Sequence, residues 1–89
     1  MNLDELRGRL DDIDHQMLGL LAQRAEVILE VADLKKRLGL PVHVPERETA
    51  IIDRLRALNP GPIDGDAVER IYRVIVEEMR NFEDRHLIR

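Results

Sequence analysis

Residues 3–38 read LDELRGRLDDIDHQMLGLLAQRAEVILEVADLKKRL, and this stretch decides the fold. It contains no proline, and its apolar residues recur every three or four positions, which predicts a single helix of about 36 residues. Asp4 and Glu5 suit the positive end of the helix dipole near its start. Gly39 and Pro41 follow its last turn and form a strong stop signal.

A helix of this length is too long for one small chain to cover. It would span about 54 Å, whereas a compact chain of 89 residues has a radius of gyration of about 12 Å. A first apolar stripe consists of Leu6, Leu10, Ile13, Met17, Leu20, Leu21, Val27, Ile28, Val31, Leu34 and Leu38. A second stripe, on the other side, consists of Leu18, Ala22, Ala25, Leu29 and Ala32. We therefore expect an intertwined homodimer with its long helices side by side, the alternative being a free, exposed helix.

Two shorter helices complete the predicted fold. Pro45 is a favourable first-turn residue and opens a helix that runs to about Leu58. The segment Asn59-Pro60-Gly61-Pro62 is a hard break. A third helix opens near Asp64 or Asp66, either of which could cap it, and its apolar residues keep helical spacing through Phe82. The prediction is an all-α fold with a single domain over residues 1–89.

Composition excludes several classes of function. The net charge is −4, which gives no basic field for nucleic acid or for an anionic membrane. Tyr72 and Phe82 are the only aromatic residues, too few for a stacking platform, and the absence of cysteine excludes disulfides and thiolate chemistry. The chain begins without the pattern of a signal peptide and has no membrane-length apolar run, so we expect a cytoplasmic protein.

Two cations lie where the long helix should be apolar. On a helical wheel of about 100° per residue, Arg24 and Lys35 fall near the centre of the first stripe, within about 20° of each other. Burying a cation in an apolar interface costs free energy unless an anion meets it there. Both could form structural ion pairs, or Lys35 could extend to solvent near the helix end. Together with the charges that follow, the two cations indicate an anion-binding pocket.

The other helices carry charges in similar positions. Arg47 and Glu48 precede apolar residues of the second helix by one turn and therefore share their face. They could equally be first-turn charges at an exposed helix start. Glu83 lies on the edge of the apolar face of the third helix. Arg7 lies about 100° from Arg24 on the wheel and would serve a different pocket.

Taken in order, these charges and their flanking residues carry a resemblance to a known family. The motifs are Leu6-Arg7, Asp11-Asp12-Ile13-Asp14, Leu20-Leu21-Ala22-Gln23-Arg24, Lys35, Pro41-Val42 and Pro45-Glu46-Arg47-Glu48. They resemble the all-helical (type II) chorismate mutase family from about Leu3 to Leu55, and more weakly to Glu83. The resemblance implies an intertwined homodimer and an isomerase that rearranges chorismate, a dicarboxylate, to prephenate in aromatic amino acid biosynthesis, without cofactor or metal.

The resemblance also implies a role for each charge. In similar enzymes the residues that match Arg24, Arg47 and Arg7 of the partner subunit bind or order the substrate carboxylates. The residue that matches Lys35 donates to the ether oxygen and to a carboxylate. The residue that matches Glu48 accepts a hydrogen bond from the ring hydroxyl.

Three positions depart from the best-known bacterial pattern. Val44 stands where an aspartate can assist at the ring hydroxyl, and Met79 stands where a serine can contact the ring carboxylate. Glu83 stands where a glutamine often donates to the ether oxygen. Because an ether oxygen only accepts hydrogen bonds, Glu83 can act there only while protonated. The alternative is that Glu83 faces solvent at the end of a frayed helix.

Two rival functions remain open at this stage. An isochorismate pyruvate lyase shares the fold and the arginines, although the Pro-Glu-Arg-Glu segment favours the mutase. A non-catalytic regulatory or dimerisation domain of a larger aromatic-pathway protein is the rival from another class. Retention of the charged positions argues against it.

Overall fold

The computed structural model describes residues 1–88, and over these residues the chain forms three α-helices and no strand. Helix α1 spans Leu3–Leu38, α2 spans Pro45–Leu58 and α3 spans Gly65–Ile88. The predicted all-α class and the predicted bounds of the first two helices are confirmed. Arg89, the last residue of the predicted domain, lies outside the described residues. None of the helices described is long and apolar enough to cross a membrane.

The ends of α1 are fixed by local chemistry. The Asn2 side chain accepts a hydrogen bond from the backbone N–H of Glu5 at 2.8 Å and thereby satisfies one of the free donors of the first turn. At the other end Gly39 adopts a left-handed conformation with φ 68°, which glycine reaches without strain. Its N–H donates to the carbonyl of Lys36 at 3.3 Å, so the helix closes where the sequence predicted a stop.

Asp64 is the residue that caps α3. Its Oδ1 accepts from the backbone N–H of Ala67 at 2.7 Å. Asp66 instead accepts from Arg56 Nη1 at 3.0 Å, which ties the end of α2 to the start of α3. This hydrogen bond raises the pKa of Arg56 above its ordinary value. The guanidinium lies over Gly65, where a Cβ would stand 3.2 Å from it.

Helix α3 holds the other two helices together. It packs against both α1 and α2, whereas no Cα atom of α1 lies within 8 Å of a Cα atom of α2. The buried apolar residues come from all three helices. They are Ala32, Ile51, Ile52, Val68 and Val76. The chain therefore has a small core, centred on α3.

Most of the apolar surface of α1 is uncovered by the rest of the chain. Every residue from 1 to 20 is exposed, and Leu18 of the second stripe retains 67% of its accessible surface. The radius of gyration is 16.1 Å and the longest dimension is 54 Å, larger than the radius of about 12 Å for a compact chain of this size. A single chain thus leaves the first stripe of α1, and the start of its second stripe, largely in solvent.

Candidate active site

A cavity of about 450 Å³ lies where the second half of α1, the start of α2 and the end of α3 meet. Its apolar walls come largely from valines and isoleucines of all three helices. Seven charged residues line it: Arg24, Lys35, Arg47, Glu48, Arg54, Arg80 and Glu83. Five of these are the predicted residues Arg24, Lys35, Arg47, Glu48 and Glu83, which the fold brings together from three separate parts of the sequence.

The cavity is cationic although the chain as a whole is acidic. Five cationic side chains face two carboxylates, an excess of three positive charges, whereas the net charge of the chain is −4. Charges of one sign within low-dielectric walls concentrate the field and attract ligands of the opposite sign. The cavity is therefore suited to a small anion that carries more than one negative charge.

Lys35 and Glu83 join the ends of α1 and α3 beside this cavity. Lys35 Nζ donates to the carbonyl of Val42 at 2.9 Å and lies 3.1 Å from Glu83 Oε2. The contact with Glu83 is an ion pair and not a hydrogen bond, because none of the described residues donates a hydrogen bond to Oε2. Glu83 is 4% exposed, so the alternative in which it faces solvent at a frayed end is wrong. Lys35 is held at the cavity instead of extending freely into water.

Arg24 lines the cavity with one nitrogen of its guanidinium group left without a hydrogen bond to any described residue. Its Nη1 atom is fully buried and has no hydrogen-bond acceptor among residues 1–88. A buried donor without an acceptor costs about 1–3 kcal/mol, and more when it is charged. Because Arg24 lines the cavity, the positive charge of its guanidinium group attracts any anion bound there.

Arg47 and Glu48 stand on the first turn of α2, where Pro45 begins the helix. Arg47 is exposed at the edge of the cavity. Glu48 is half-buried, and Arg80 Nη1 donates to its two carboxylate oxygens at 3.1 and 3.0 Å. His43 Nε2 lies 3.6 Å from Glu48 Oε2, beyond ordinary hydrogen-bond distance.

Sequence reasoning missed two of the cations that line the cavity. Arg80 follows the buried Val76 by four residues, so it lies on the inner face of α3. The same rule that selected Glu48 on α2 would have selected Arg80. Arg54 follows Ile51 by three residues and could have been found in the same way.

Arg7 is the predicted site residue that does not line this cavity. It precedes Arg24 by 17 positions on the same helix, a distance of about 25 Å along the axis. Arg7 therefore cannot reach the cavity of its own chain. If Arg7 contributes to a cavity of this kind, that cavity must belong to another copy of the chain.

Two of the positions that depart from the expected pattern also line the cavity. Val44 and Met79 both face it. Their side chains offer apolar contact where a carboxylate and a hydroxyl were expected. Polar contacts with a ligand must therefore come from the charged residues and from the backbone.

The three-helix fold of the chain is that of a known class of enzymes. The family model for chorismate mutase type II matches residues 6–84. The chain belongs to the chorismate mutase type II family.

Individual members of the family agree with this assignment. The chain is 34% identical to the chorismate mutase of Methanocaldococcus jannaschii over 86 residues, 96% of this chain and 87% of the relative. It is 36% identical to the bifunctional chorismate mutase/prephenate dehydratase of Aquifex aeolicus over 91% of this chain, but spans only 24% of that longer protein. A crystal structure of chorismate mutase from Helicobacter pylori in complex with prephenate superposes with a TM-score of 0.88 at 28% identity, covering 96% of this chain and 92% of that chain.

Proposed function

We propose that this chain is a chorismate mutase, an isomerase that rearranges chorismate to prephenate in aromatic amino acid biosynthesis. The observation that carries the proposal is the cavity itself, whose lining carries an excess of three positive charges. Chorismate carries two carboxylates and supplies the matching negative charge. Membership of the family and the prephenate bound to a relative support the same substrate.

The reaction requires little of the protein beyond shape and charge. It is an intramolecular rearrangement, so no nucleophile, metal or cofactor takes part. The enzyme must hold the substrate in its compact chair conformation, which removes most of the entropic cost. It must also stabilise the negative charge that develops on the ether oxygen as the carbon–oxygen bond breaks.

The charged residues divide this work between them. Arg24 and Arg47 bind the carboxylates from α1 and α2. Lys35 donates to the ether oxygen and to a carboxylate, and its hydrogen bond to Val42 holds the ammonium group at the cavity. Glu48 accepts from the ring hydroxyl. These roles are the ones that the resemblance implies, and the shared cavity supports them.

Glu83 has a more demanding role in this proposal. In its ionised form it pairs with Lys35 across 3.1 Å. At the ether oxygen it can donate a hydrogen bond only when its carboxyl carries a proton. The proposal therefore assigns the active form of Glu83 to the protonated state, and it makes catalysis depend on pH.

A second copy of the chain completes the proposed enzyme. The exposure of every residue from 1 to 20 supports a partner that covers the start of α1. In an intertwined homodimer, Arg7 of the partner subunit reaches a cavity that its own chain cannot offer it. Each dimer would contain two identical sites. The single domain over residues 1–89 and a cytoplasmic location stay predictions from the sequence.

The test is direct conversion of substrate by the purified protein. We expect chorismate absorbance to fall on addition of the protein, with prephenate as the product identified by chromatography. Isochorismate offered in parallel distinguishes a lyase, which would release pyruvate from it. A dimeric protein that converts neither substrate would indicate the non-catalytic module and would refute the proposal.

A further inference from the structure

The residue that holds Glu48 belongs to none of the motifs that identified the family. Arg80 on α3 donates from a single nitrogen, Nη1, to both oxygens of Glu48 on α2, at 3.1 and 3.0 Å. The two side chains are each 25% exposed, and both line the cavity. The contact joins residues 32 positions apart in the sequence, so it exists only once α2 and α3 have packed together.

Glu48 creates an electrostatic difficulty at the site. Its carboxylate must accept a hydrogen bond, yet it lies on a cavity whose proposed substrate is a dianion. Like charges at short range repel, and they do so more strongly where water is partly excluded. A cation close to Glu48 offsets this repulsion while leaving the carboxylate able to accept a further hydrogen bond.

Arg80 supplies this cation and also fixes the orientation of the Glu48 carboxylate. A donor shared between the two oxygens restricts rotation of the carboxylate, which otherwise stands on a long side chain in the first turn of a helix. His43 does not perform this function, because its Nε2 lies 3.6 Å away and is too distant for a good hydrogen bond.

We propose that Arg80 is a positioning residue, which orients Glu48 and neutralises its charge so that a dianionic substrate can bind beside it. This inference rests on the proposed chorismate mutase activity. Because the repulsion exists in the bound ground state as well as in the transition state, loss of Arg80 should act mainly on substrate binding. The effect should therefore appear in KM more than in kcat.

The primary test compares Arg80→Met with a matched control, Arg73→Met. Arg73 lies on the same helix and pairs with Glu69 at 3.0 Å, one turn earlier on α3, and no hydrogen bond or ion pair joins it to Glu48. We expect Arg80→Met to raise KM about tenfold with kcat within about threefold, and Arg73→Met to stay within about twofold in both. Arg80→Lys keeps the charge and should recover most of the affinity.

Thermal unfolding separates this role from a structural one. A variant that is partly unfolded loses active sites, which lowers the apparent kcat and leaves KM unchanged. If Arg80→Met does not fold, Arg80→Gln replaces it as the neutral variant. An unchanged KM in a folded neutral variant would overturn the inference.

A double-mutant cycle shows whether Arg80 acts through Glu48. In a Glu48→Gln background there is no carboxylate charge to offset, so Arg80→Met should change KM less than about twofold. If the full effect persists there, Arg80 acts on the substrate itself or on the fold, and the inference fails. A wild-type protein that does not convert chorismate overturns the proposed function and this inference together. An active wild type with equal Arg80 and Arg73 variants overturns this inference alone.

Discussion

Replacing Lys35 with alanine tests both the structure and the mechanism, because its ammonium group has two partners. It donates to the Val42 carbonyl at 2.9 Å and pairs with Glu83 Oε2 at 3.1 Å. A hydrogen bond from a charged donor is worth about 1.5–3 kcal/mol. Removing one partner of a buried ion pair costs about 3–5 kcal/mol. Both values describe loss of the same ammonium group and overlap, so they are not added. Because Lys35 is one-fifth exposed, the folding cost should be near the lower end of the ion-pair range, about 3 kcal/mol.

The kinetic cost of Lys35→Ala has a different origin. Negative charge builds on the ether oxygen in the transition state, and Lys35 is the proposed donor there. Removal of one such donor lowers kcat by about 10²–10³, equivalent to about 2.7–4 kcal/mol. The sequence alone predicts a loss mainly in kcat, whereas the contacts with Val42 and Glu83 add a folding cost of similar size. Activity must therefore be compared under conditions in which every variant is folded.

Lys36→Ala is the matched control for this experiment. Lys36 is the next residue, stands in the same last turn of α1 and is exposed. It should keep both the wild-type rate and, within about 0.5 kcal/mol, the wild-type stability. Chemical denaturation at a fixed protein concentration measures the folding cost, and loss of chorismate absorbance measures kcat. A folded Lys35→Ala protein whose kcat lies within tenfold of that of Lys36→Ala would refute the assigned role.

Three further predictions concern the dimer, the shared site and pH. The protein should sediment as a dimer at micromolar concentration, with a thermal midpoint that rises with concentration; an active, helical monomer would exclude the intertwined arrangement. Mixing Arg7→Ala and Arg24→Ala chains should restore one intact site per heterodimer, and mixed dimers as inactive as both parents would show that Arg7 does not act across the interface. Glu83→Gln always presents a hydrogen-bond donor, whereas the Glu83 carboxyl presents one only when it carries a proton, so the rate profiles of the two proteins should differ. Superimposable profiles from about pH 5 to 9 would remove Glu83 from the reaction.

The sequence predicted the helices well because their ends are set by local chemistry. Gly39 and Pro45 act through backbone conformation, and each marks the boundary at which the structure ends or begins a helix. Side-chain caps were harder to predict. Attention to charge overlooked the neutral oxygen of Asn2. Spacing alone could not separate Asp64 from Asp66, since an aspartate at either position could cap the helix and only Asp64 accepts from the Ala67 N–H.

The candidate site could be predicted only in part. Charged residues on apolar helix faces are visible as breaks in a pattern, and this selected Arg24, Lys35 and Glu48. Their partners are not visible in the same way. Arg80 meets Glu48 through tertiary packing, and the Val42 carbonyl reaches Lys35 because of the path of a loop, which no periodic pattern specifies.

The role of α3 as the link between α1 and α2 also determines what kinds of change could alter selectivity. Because α1 and α2 pack against α3 and not against each other, the α3 side chains between them help to set the distance from the cations on α1 to the charged pair on α2. Val76 is buried at that surface and also lines the cavity. A larger or smaller residue at position 76 would change the width of the cavity and leave all of its charged residues in place. The size of the ligand that the cavity admits can therefore change independently of the charge that it binds.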